Sequence, residues 1–188
     1  MEKHLYNIFA QRWYRGGSIY FYSDPHFSDE EMNEYRNITD EEQVKKINSR
    51  VHKNDTLIIL GDIGNIEYVK KLNGYKVLIL GNHDKGISNY IGFFEEVYEG
   101  ALMISNKIIL SHEPIRDLPP FLFNIHGHDH AKSFEDEFHL NVCAENIDFT
   151  PVSLKEIINT GKLKDIADIH RLAIDRRVAL KNLTGEAK

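Results

Sequence analysis

The sequence predicts an α/β domain, and two patterns indicate this fold class. Short apolar segments alternate with segments in which apolar residues recur at helical spacing. Each apolar segment ends in small residues that are followed directly by polar side chains. In open α/β sheets, ligands bind outside the carboxyl ends of the strands, so we expect a functional site at this edge.

Five segments have the character of buried strands, because short runs of Ile, Leu, Val and Tyr bounded by Gly or Pro are typical of strands. They are residues 19–26, 57–62, 77–84, 108–113 and 123–130. Their alternation with helical segments favours, by itself, one open sheet. Only 16 residues separate His112 from His128, which is short for a helical crossover between parallel strands. We therefore expect antiparallel pairing late in the chain.

Two helices are predicted between the early strands. Thr39 and Glu42 have the spacing of a capping box, and apolar residues then recur every three or four positions. These signals predict a helix over about 40–52. A shorter helix is indicated over residues 66–72 and ends near Gly74.

The last part of the chain predicts an amphipathic helix over about 162–181. Ser153 and Glu156 form a second candidate capping box, and apolar residues recur at helical spacing from Leu163 onward. Residues 161–188 carry seven Lys or Arg against four Asp or Glu. This helix either packs one face on the domain or forms a homodimer contact, and the sequence leaves both open.

Length and composition limit the class of protein. A chain of 188 residues with 41% hydrophobic content is long enough to bury one core, so we expect a single domain over residues 1–188. The formal net charge of −6 disfavours binding to membranes or to long nucleic acid. The single cysteine, Cys143, and the lack of long apolar runs in the sequence lead us to expect a reduced, cytoplasmic protein.

Histidines are concentrated at the ends of the predicted strands. The chain contains ten, and several lie beside Asp, Asn or Gly. Asp24 and His26 are two positions apart, so in an extended chain they share a face and can approach one cation. His128 and His130 have the same spacing. Because His is the commonest metal ligand, these pairs predict a metal site.

Other candidate ligands follow glycines. Asp62 comes after Gly61, and Asn82 and His83 come after Gly81, where the missing side chain lets the backbone turn closely. A two-metal hydrolytic centre needs a carboxylate that bridges both cations, imidazole and amide ligands, and a separate acid near the leaving group. The strand ends supply all three types of group.

Taken together and in order, these motifs resemble those of the calcineurin-like metallophosphoesterase family, in its small single-domain bacterial form. The matching motifs are Asp24-Pro25-His26, Gly61-Asp62, Gly81-Asn82-His83-Asp84, Ser111-His112 and Gly127-His128-Asp129-His130. In place of one open sheet, the resemblance implies two packed β-sheets flanked by helices, the four-layer sandwich of metallo-dependent phosphatases.

The resemblance also implies a role for each matching residue. The first of two cations would be held by Asp24, His26, Asp62 and His130, and the second by Asp62, Asn82, His112 and His128. The carboxylate of Asp62 would bridge the two cations. His83 would stay unligated and give a proton to the leaving group, with Asp84 holding its orientation.

The implied activity is dinuclear metal-dependent hydrolysis of a phosphomonoester or phosphodiester, with a small molecule or nucleotide as substrate and metal-activated hydroxide as nucleophile. The mixed nitrogen and oxygen ligands favour manganese, with iron and zinc as alternatives. Two other functions stay open: a nuclease acting on short nucleic acid, and a non-catalytic metal-binding scaffold for protein interaction. Specificity is expected from residues 27–37 and 115–123, which flank the motifs.

Overall fold

Two β-sheets form the centre of the computed structural model, which describes residues 5–130 and 136–166. In spatial order, the first sheet contains β4 (Glu96–Tyr98), β3 (Tyr75–Ile79), β2 (Thr56–Ile59), β1 (Ile19–Tyr22) and β9 (Val152–Ser153). The second sheet contains β5 (Leu102–Met103), β6 (Ile108–Leu110), β7 (Phe123–His126) and β8 (His139–Asn141).

Helices accompany both sheets. The α-helices of the described residues are α1 (Asn7–Tyr14), α2 (Glu30–Arg36), α3 (Asp40–Arg50), α4 (Leu154–Thr160) and α5 (Lys162–Asp165). Short 3₁₀ helices span Ile66–Lys71, Ile87–Asn89 and Ala144–Ile147. In the same described ranges, every helix falls short of the length and apolar content that a bilayer crossing requires.

The alternation of side chains on β2 shows how the layers pack. Ile58 belongs to a buried cluster that the two sheets share, together with Ile125 of β7. Its neighbours Leu57 and Ile59 face the other way and belong to a second cluster that includes Ile47 of α3. Both faces of the first sheet are buried, which explains its continuous apolar strands. The predicted architecture of two packed sheets flanked by helices is confirmed, and the expectation of one open sheet is wrong.

Strand direction differs from expectation in the second sheet. Strands β1 to β4 are parallel, β6 to β8 are parallel, and β9 and β5 pair antiparallel with β1 and β6. The antiparallel pairing expected across His112 to His128 is wrong, because Ile108 of β6 lies opposite Phe123 of β7 in a parallel pair. Residues 111–122 cross over as a loop. No helix is needed, since extended chain covers ~3.3 Å per residue and a neighbouring strand lies about 5 Å away.

The early helix predictions are confirmed. Helix α3 begins after Thr39 and has both hydrogen bonds of the capping box that Thr39 forms with Glu42. The shorter helix predicted over 66–72 is the 3₁₀ helix Ile66–Lys71, whose first turn is capped by the Asn65 side chain. Both elements lie between strands of the first sheet, as their sequence positions predict.

Two short helices, α4 and α5, are separated at Gly161 near the end of the described residues. The second capping box, between Ser153 and Glu156, starts α4. This helix ends because Gly161 adopts a φ of 83°, a left-handed conformation that stops helix propagation. Helix α5 covers Lys162–Asp165 of the helix predicted over 162–181 and ends before Ile166, which is extended; the prediction for residues 167–181 lies outside the described residues.

Candidate metal centre

Side chains from five strand ends meet at one edge of the two sheets. The predicted ligands follow β1, β2, β3, β6 and β7, and they are Asp24, His26, Asp62, Asn82, His112, His128 and His130. Parallel strands β1, β2 and β3 end at the same edge, as do β6 and β7, so topology alone directs these segments to neighbouring positions. The structure arranges them in two groups around Asp62.

The first group consists of Asp24, His26, His130 and Asp62. His26 Nε2 lies 3.9 Å from Asp24 Oδ1 and 3.7 Å from Asp62 Oδ2. His130 Nε2 lies 3.7 Å from Asp24 Oδ1. The ligand atoms of Asp24, His26 and Asp62 all lie within 4.8 Å of one another, close enough to hold one ion. Burial lowers the pKa of His26, which favours the neutral form that binds metal.

The second group consists of His112, Asn82, His128 and Asp62. His112 Nε2 lies 2.7 Å from Asn82 Oδ1, 3.2 Å from His128 Nδ1 and 3.5 Å from Asp62 Oδ2. Asn82 Oδ1 also lies 3.0 Å from His128 Nδ1. Asp62 Oδ2 is therefore the atom that both groups share.

The unused atoms of the first group fit a bound cation. Asp24 Oδ1 and His26 Nε2 are buried and have no hydrogen-bond partner in the described structure. Burying one polar atom without a hydrogen-bond partner costs free energy, and here two such atoms lie 3.9 Å apart. One divalent cation between them would satisfy both.

The second group fits a cation for a related reason. His112 Nδ1 lies 2.7 Å from the carbonyl oxygen of Leu60, so that nitrogen carries the hydrogen and Nε2 presents a lone pair. In the orientation that the structure gives the Asn82 amide, this lone pair faces an oxygen. Two acceptors at hydrogen-bond distance repel each other unless a positive charge lies nearby. The imidazole and oxygen donors of both groups suit manganese, iron or zinc better than calcium.

The backbone of the ligand segments is strained. Asp24, His26, Asp62 and His128 have φ values of 56°, 47°, 55° and 65°. Left-handed conformations of non-glycine residues cost energy and cluster at functional sites. The extended geometry that we expected for the Asp24–His26 pair is therefore wrong, although the two side chains do approach each other. His128 and His130 diverge and serve different groups.

The carboxylate of Asp62 is held by the neighbouring turn. Its Oδ1 accepts a hydrogen bond of 3.0 Å from the backbone N–H of His83, which leaves Oδ2 for the two ligand groups. Gly81 makes this approach possible, because a Cβ atom at that position would clash with Asp62 Oδ1. The glycine that precedes Asn82 thus has the close-packing role that the sequence indicated.

Asp24 is oriented in the same way by a residue that the sequence did not indicate. Its Oδ2 accepts hydrogen bonds from the backbone N–H of His128 at 2.9 Å and from Cys143 Sγ at 3.0 Å. Burial and the nearby Asp24 charge raise the pKa of the Cys143 thiol, so it remains a protonated donor. The other carboxylate oxygen of Asp24 is left to face His26 and His130.

A further pair of residues contacts His130. Glu145 Oε1 lies 2.6 Å from His130 Nδ1, and Arg36 Nη2 donates to Glu145 Oε2 at 2.8 Å. The hydrogen bond with Glu145 raises the pKa of His130 despite burial. Burial would raise the pKa of Glu145, but His130 and the charge of Arg36 outweigh it and lower that pKa. Neither Arg36 nor Glu145 lies in a recognisable motif, so no sequence signal identified them.

The His83 side chain faces solvent, whereas the Asp84 carboxylate is hydrogen-bonded within the protein. The His83 side chain is exposed, and its ring centroid lies 5.8 Å from that of His26. The Asp84 carboxylate accepts hydrogen bonds from the backbone N–H groups of Asp62, Ile63 and Gly81 and from the Tyr90 hydroxyl. None of its contacts in the described residues is with the His83 imidazole. The orienting role expected for Asp84 stays a prediction, and the contacts that the structure shows for this carboxylate join two ligand loops.

A cleft of about 1020 Å³ adjoins the first ligand group. Its walls include His26, His83 and His130 and residues of three segments, 27–32, 64–66 and part of 84–90. The first of these segments belongs to the stretch 27–37 that we expected to determine specificity. The other expected segment, 115–123, does not contribute to the cleft wall among the described residues.

The chain is similar to the uncharacterized protein MJ1445 of Methanocaldococcus jannaschii, with 30% identity over an alignment 176 positions long, gaps included, which covers 77% of this chain and 93% of that protein. The protein of unknown function AQ665 from Aquifex aeolicus has a crystal structure that matches with a TM-score of 0.62 and 25% identity, covering 77% of this chain and 99% of that chain. YfcE, a phosphoesterase from E. coli, matches with a TM-score of 0.40 and 20% identity over 66% and 78% of the two chains, a similarity too low to support a function. No protein-family model matches the chain.

Proposed function

We propose that this chain, which belongs to the same family as the uncharacterized protein MJ1445, is a phosphoesterase that works with two divalent cations. Its substrate would be a phosphomonoester or phosphodiester of a small molecule or nucleotide. Manganese is the metal that we would test first, because the donor set combines imidazole nitrogens with carboxylate and amide oxygens.

The observation that carries the proposal is the convergence of acceptor atoms on Asp62 Oδ2. That oxygen lies 3.7 Å from His26 Nε2 and 3.5 Å from His112 Nε2, which belong to different groups. A bridging carboxylate between two imidazole-rich groups is a ligand arrangement that a two-metal hydrolytic site requires. When bound, the cations would act as Lewis acids toward phosphoryl oxygens and make water acidic enough to serve as nucleophile near neutral pH.

The chain itself would supply the proton for the leaving group. His83 is exposed on the cleft wall next to the first ligand group, and its imidazole is not committed to another described side chain by a hydrogen bond. General acid catalysis by a positioned imidazole typically contributes 10²- to 10⁴-fold. The backbone N–H of His83 donates to Asp62, so the loop that carries the acid also fixes the shared ligand.

The acidic residues of the cleft wall favour a small substrate. Asp29, Glu30 and Glu31 line the cleft, and Lys85 is the only Lys or Arg among the described lining residues. Binding of long nucleic acid depends on several Lys or Arg contacts to phosphates. This distribution of charge supports a small phosphate ester over an extended polyanion.

The test is hydrolysis of phosphate esters by the purified protein with Mn²⁺. We expect His83→Ala to keep its bound metal and to lose about 10²- to 10⁴-fold in kcat on an alkyl phosphate ester, whose leaving group needs a proton. The loss should be smaller on a nitrophenyl ester, because nitrophenolate leaves readily without protonation. The measurement is kcat on both esters together with metal content per chain.

His52→Ala is the matched control, since His52 is exposed and lies outside the cleft. It should change neither metal content nor kcat. Equal losses on both esters for His83→Ala would reject its role as proton donor. A wild-type protein that binds two cations and hydrolyses none of the esters or nucleotides would be a metal-binding scaffold.

A further inference from the structure

The side chain of Arg36 is fully buried beside the first ligand group. It donates to the carbonyl oxygen of Asp24 at 3.0 Å, to that of Pro25 at 3.2 Å and to Glu145 Oε2 at 2.8 Å. Removing a guanidinium from water is costly, and replacing a buried ion pair by apolar residues is often neutral or stabilising. The buried ion pair of Arg36 with Glu145 therefore suggests a functional role beside the ligands and not a contribution to the free energy of unfolding.

Glu145 connects this arginine to a ligand. One carboxylate oxygen is held by Arg36, and the other lies 2.6 Å from His130 Nδ1. An ionised carboxylate only accepts hydrogen bonds, and it lies closer to Nδ1 than the Arg36 guanidinium, whose Nη2 is 3.2 Å away, so this geometry favours a hydrogen on Nδ1 directed to Glu145. The lone pair of neutral His130 is then on Nε2, which lies 3.7 Å from Asp24 Oδ1 within the first ligand group.

We propose that Glu145, fixed by Arg36, is a positioning residue that sets the tautomer and orientation of His130 and thereby strengthens cation binding in the first ligand group. The inference rests on the metal centre of the proposed function but is independent of the substrate. The second group has no equivalent carboxylate among the described residues, because His112 Nδ1 faces the carbonyl oxygen of Leu60. The effect should therefore be confined to one of the two cations.

The experiment is a titration of metal-free protein with Mn²⁺ by calorimetry, with no substrate present. Loss of a residue that supports a metal-binding histidine typically lowers affinity 10- to 100-fold. We expect Glu145→Gln to weaken one of two binding events by about this factor and to leave the other within about threefold. Asn82→Ala should weaken the opposite event, which assigns each event to its ligand group.

Two further variants complete the design. Glu137→Gln is the matched control, because Glu137 is exposed just before β8. Arg36→Lys keeps the charge and loses the forked geometry, so it should weaken the same event as Glu145→Gln by a smaller factor. If the lysine variant does not fold, Glu145→Gln still decides the question, since glutamine has nearly the shape of glutamate.

The outcomes separate this inference from the proposed function. Unchanged Mn²⁺ affinity in Glu145→Gln, or equal weakening of both events, would overturn the inference and leave the phosphoesterase proposal standing. Selective weakening in a protein that hydrolyses no ester would support the inference and reject the activity. Absence of any Mn²⁺ binding by the wild type would reject both.

Discussion

In Asp62 and in Asp24, the two oxygens of the carboxylate have different roles: one accepts hydrogen bonds from the protein, and the other faces the candidate metal ligands. Asp62 uses Oδ1 to hold the loop of His83 and presents Oδ2 to both ligand groups. Asp24 gives Oδ2 to Cys143 and a backbone N–H group and leaves Oδ1 without a hydrogen bond in the described structure. Because one oxygen is fixed by the protein, the other has a defined direction.

Asp84 provides a residue-level prediction. Each of its oxygens accepts two hydrogen bonds, and three of the four donors are backbone N–H groups. In Asp84→Asn one oxygen becomes a donor, so two of these donors lose their partner. Since an unsatisfied buried donor costs about 1–3 kcal/mol, we expect the free energy of unfolding to fall by roughly 2–4 kcal/mol in urea denaturation.

Asp117→Asn, at an exposed position, is the control for the chemical change and should be neutral. The alternative outcome is equally clear. If Asp84→Asn keeps wild-type stability and loses only the hydrolysis that depends on His83, the carboxylate acts on the imidazole, as the sequence suggested, and the loop-joining role is wrong.

Among the elements, those with a local signal were predicted well. The capping box at Thr39 and the apolar spacing after it identify α3, because both signals lie within one helix. Helix α2 carries no buried apolar side chain; its first turn lines the cleft, and Arg36 at its last position reaches the residues beside the ligands. An amphipathic pattern cannot mark a helix whose contribution is a single buried cation, so α2 was missed.

The start of α4 gives a prediction at the level of the element. Partial burial would raise the pKa of Glu156, but hydrogen bonds from Ser153 and Arg50 outweigh it and lower the pKa below its ordinary value. A lowered folded-state pKa means that the stabilisation is present above the unfolded-state pKa and is lost as pH falls through the folded-state value. Glu156→Gln should therefore be less stable than wild type at pH ~7, by roughly 0.3–1 kcal/mol, and equal to it near pH ~2.

Urea denaturation at the two pH values measures the difference. Glu99→Gln, at an exposed position after β4, should show no difference from wild type at either pH. A deficit of Glu156→Gln that is the same at both pH values would mean that the charge of Glu156 contributes nothing and that only side-chain shape matters there.

At the scale of the whole molecule, the site lies where the two sheets bring their strand ends together. Candidate ligands that follow β1, β2 and β3 meet those that follow β6 and β7, so cation binding there would join the two sheets. The chain as a whole carries a net charge of −6. Attraction for the proposed phosphate substrate would therefore have to be local, and bound divalent cations would supply it.

Metal removal tests this link between the sheets. A ligand that binds only the folded state at about 100 times its Kd stabilises it by about 2.7 kcal/mol. For a chain of this size, 1 kcal/mol shifts Tm by about 2–4 °C, so Mn²⁺ should raise Tm by roughly 5–11 °C over protein in EDTA. Calorimetric scans measure the shift, and Ca²⁺ at the same concentration should produce much less of it.

Asp62→Ala, which removes the shared ligand, should abolish most of the Mn²⁺ shift, whereas Asp117→Ala at an exposed position should keep it. An equal shift with Ca²⁺, or a full shift in Asp62→Ala, would show that the cations stabilise the protein elsewhere and would contradict the proposed centre.

The sequence by itself determined the fold class, the strand-end position of the candidate ligands and the helices with capping boxes. These features depend on residues a few positions apart, such as Asp24 with His26 or Gly81 with Asn82. The sequence did not predict the direction of β7 relative to β6, because a loop of residues 111–122 can connect either parallel or antiparallel strands.

Only the tertiary structure decided which ligands share a group and which residues hold them. His128 and His130 are close in sequence yet belong to different groups, since a φ of 65° at His128 turns the chain between them. Arg36 and Glu145 are 109 positions apart, and each has the sequence character of a solvated residue. They pair beside His130 because the packing of the sheets and helices buries Arg36 there, and no local pattern encodes that packing.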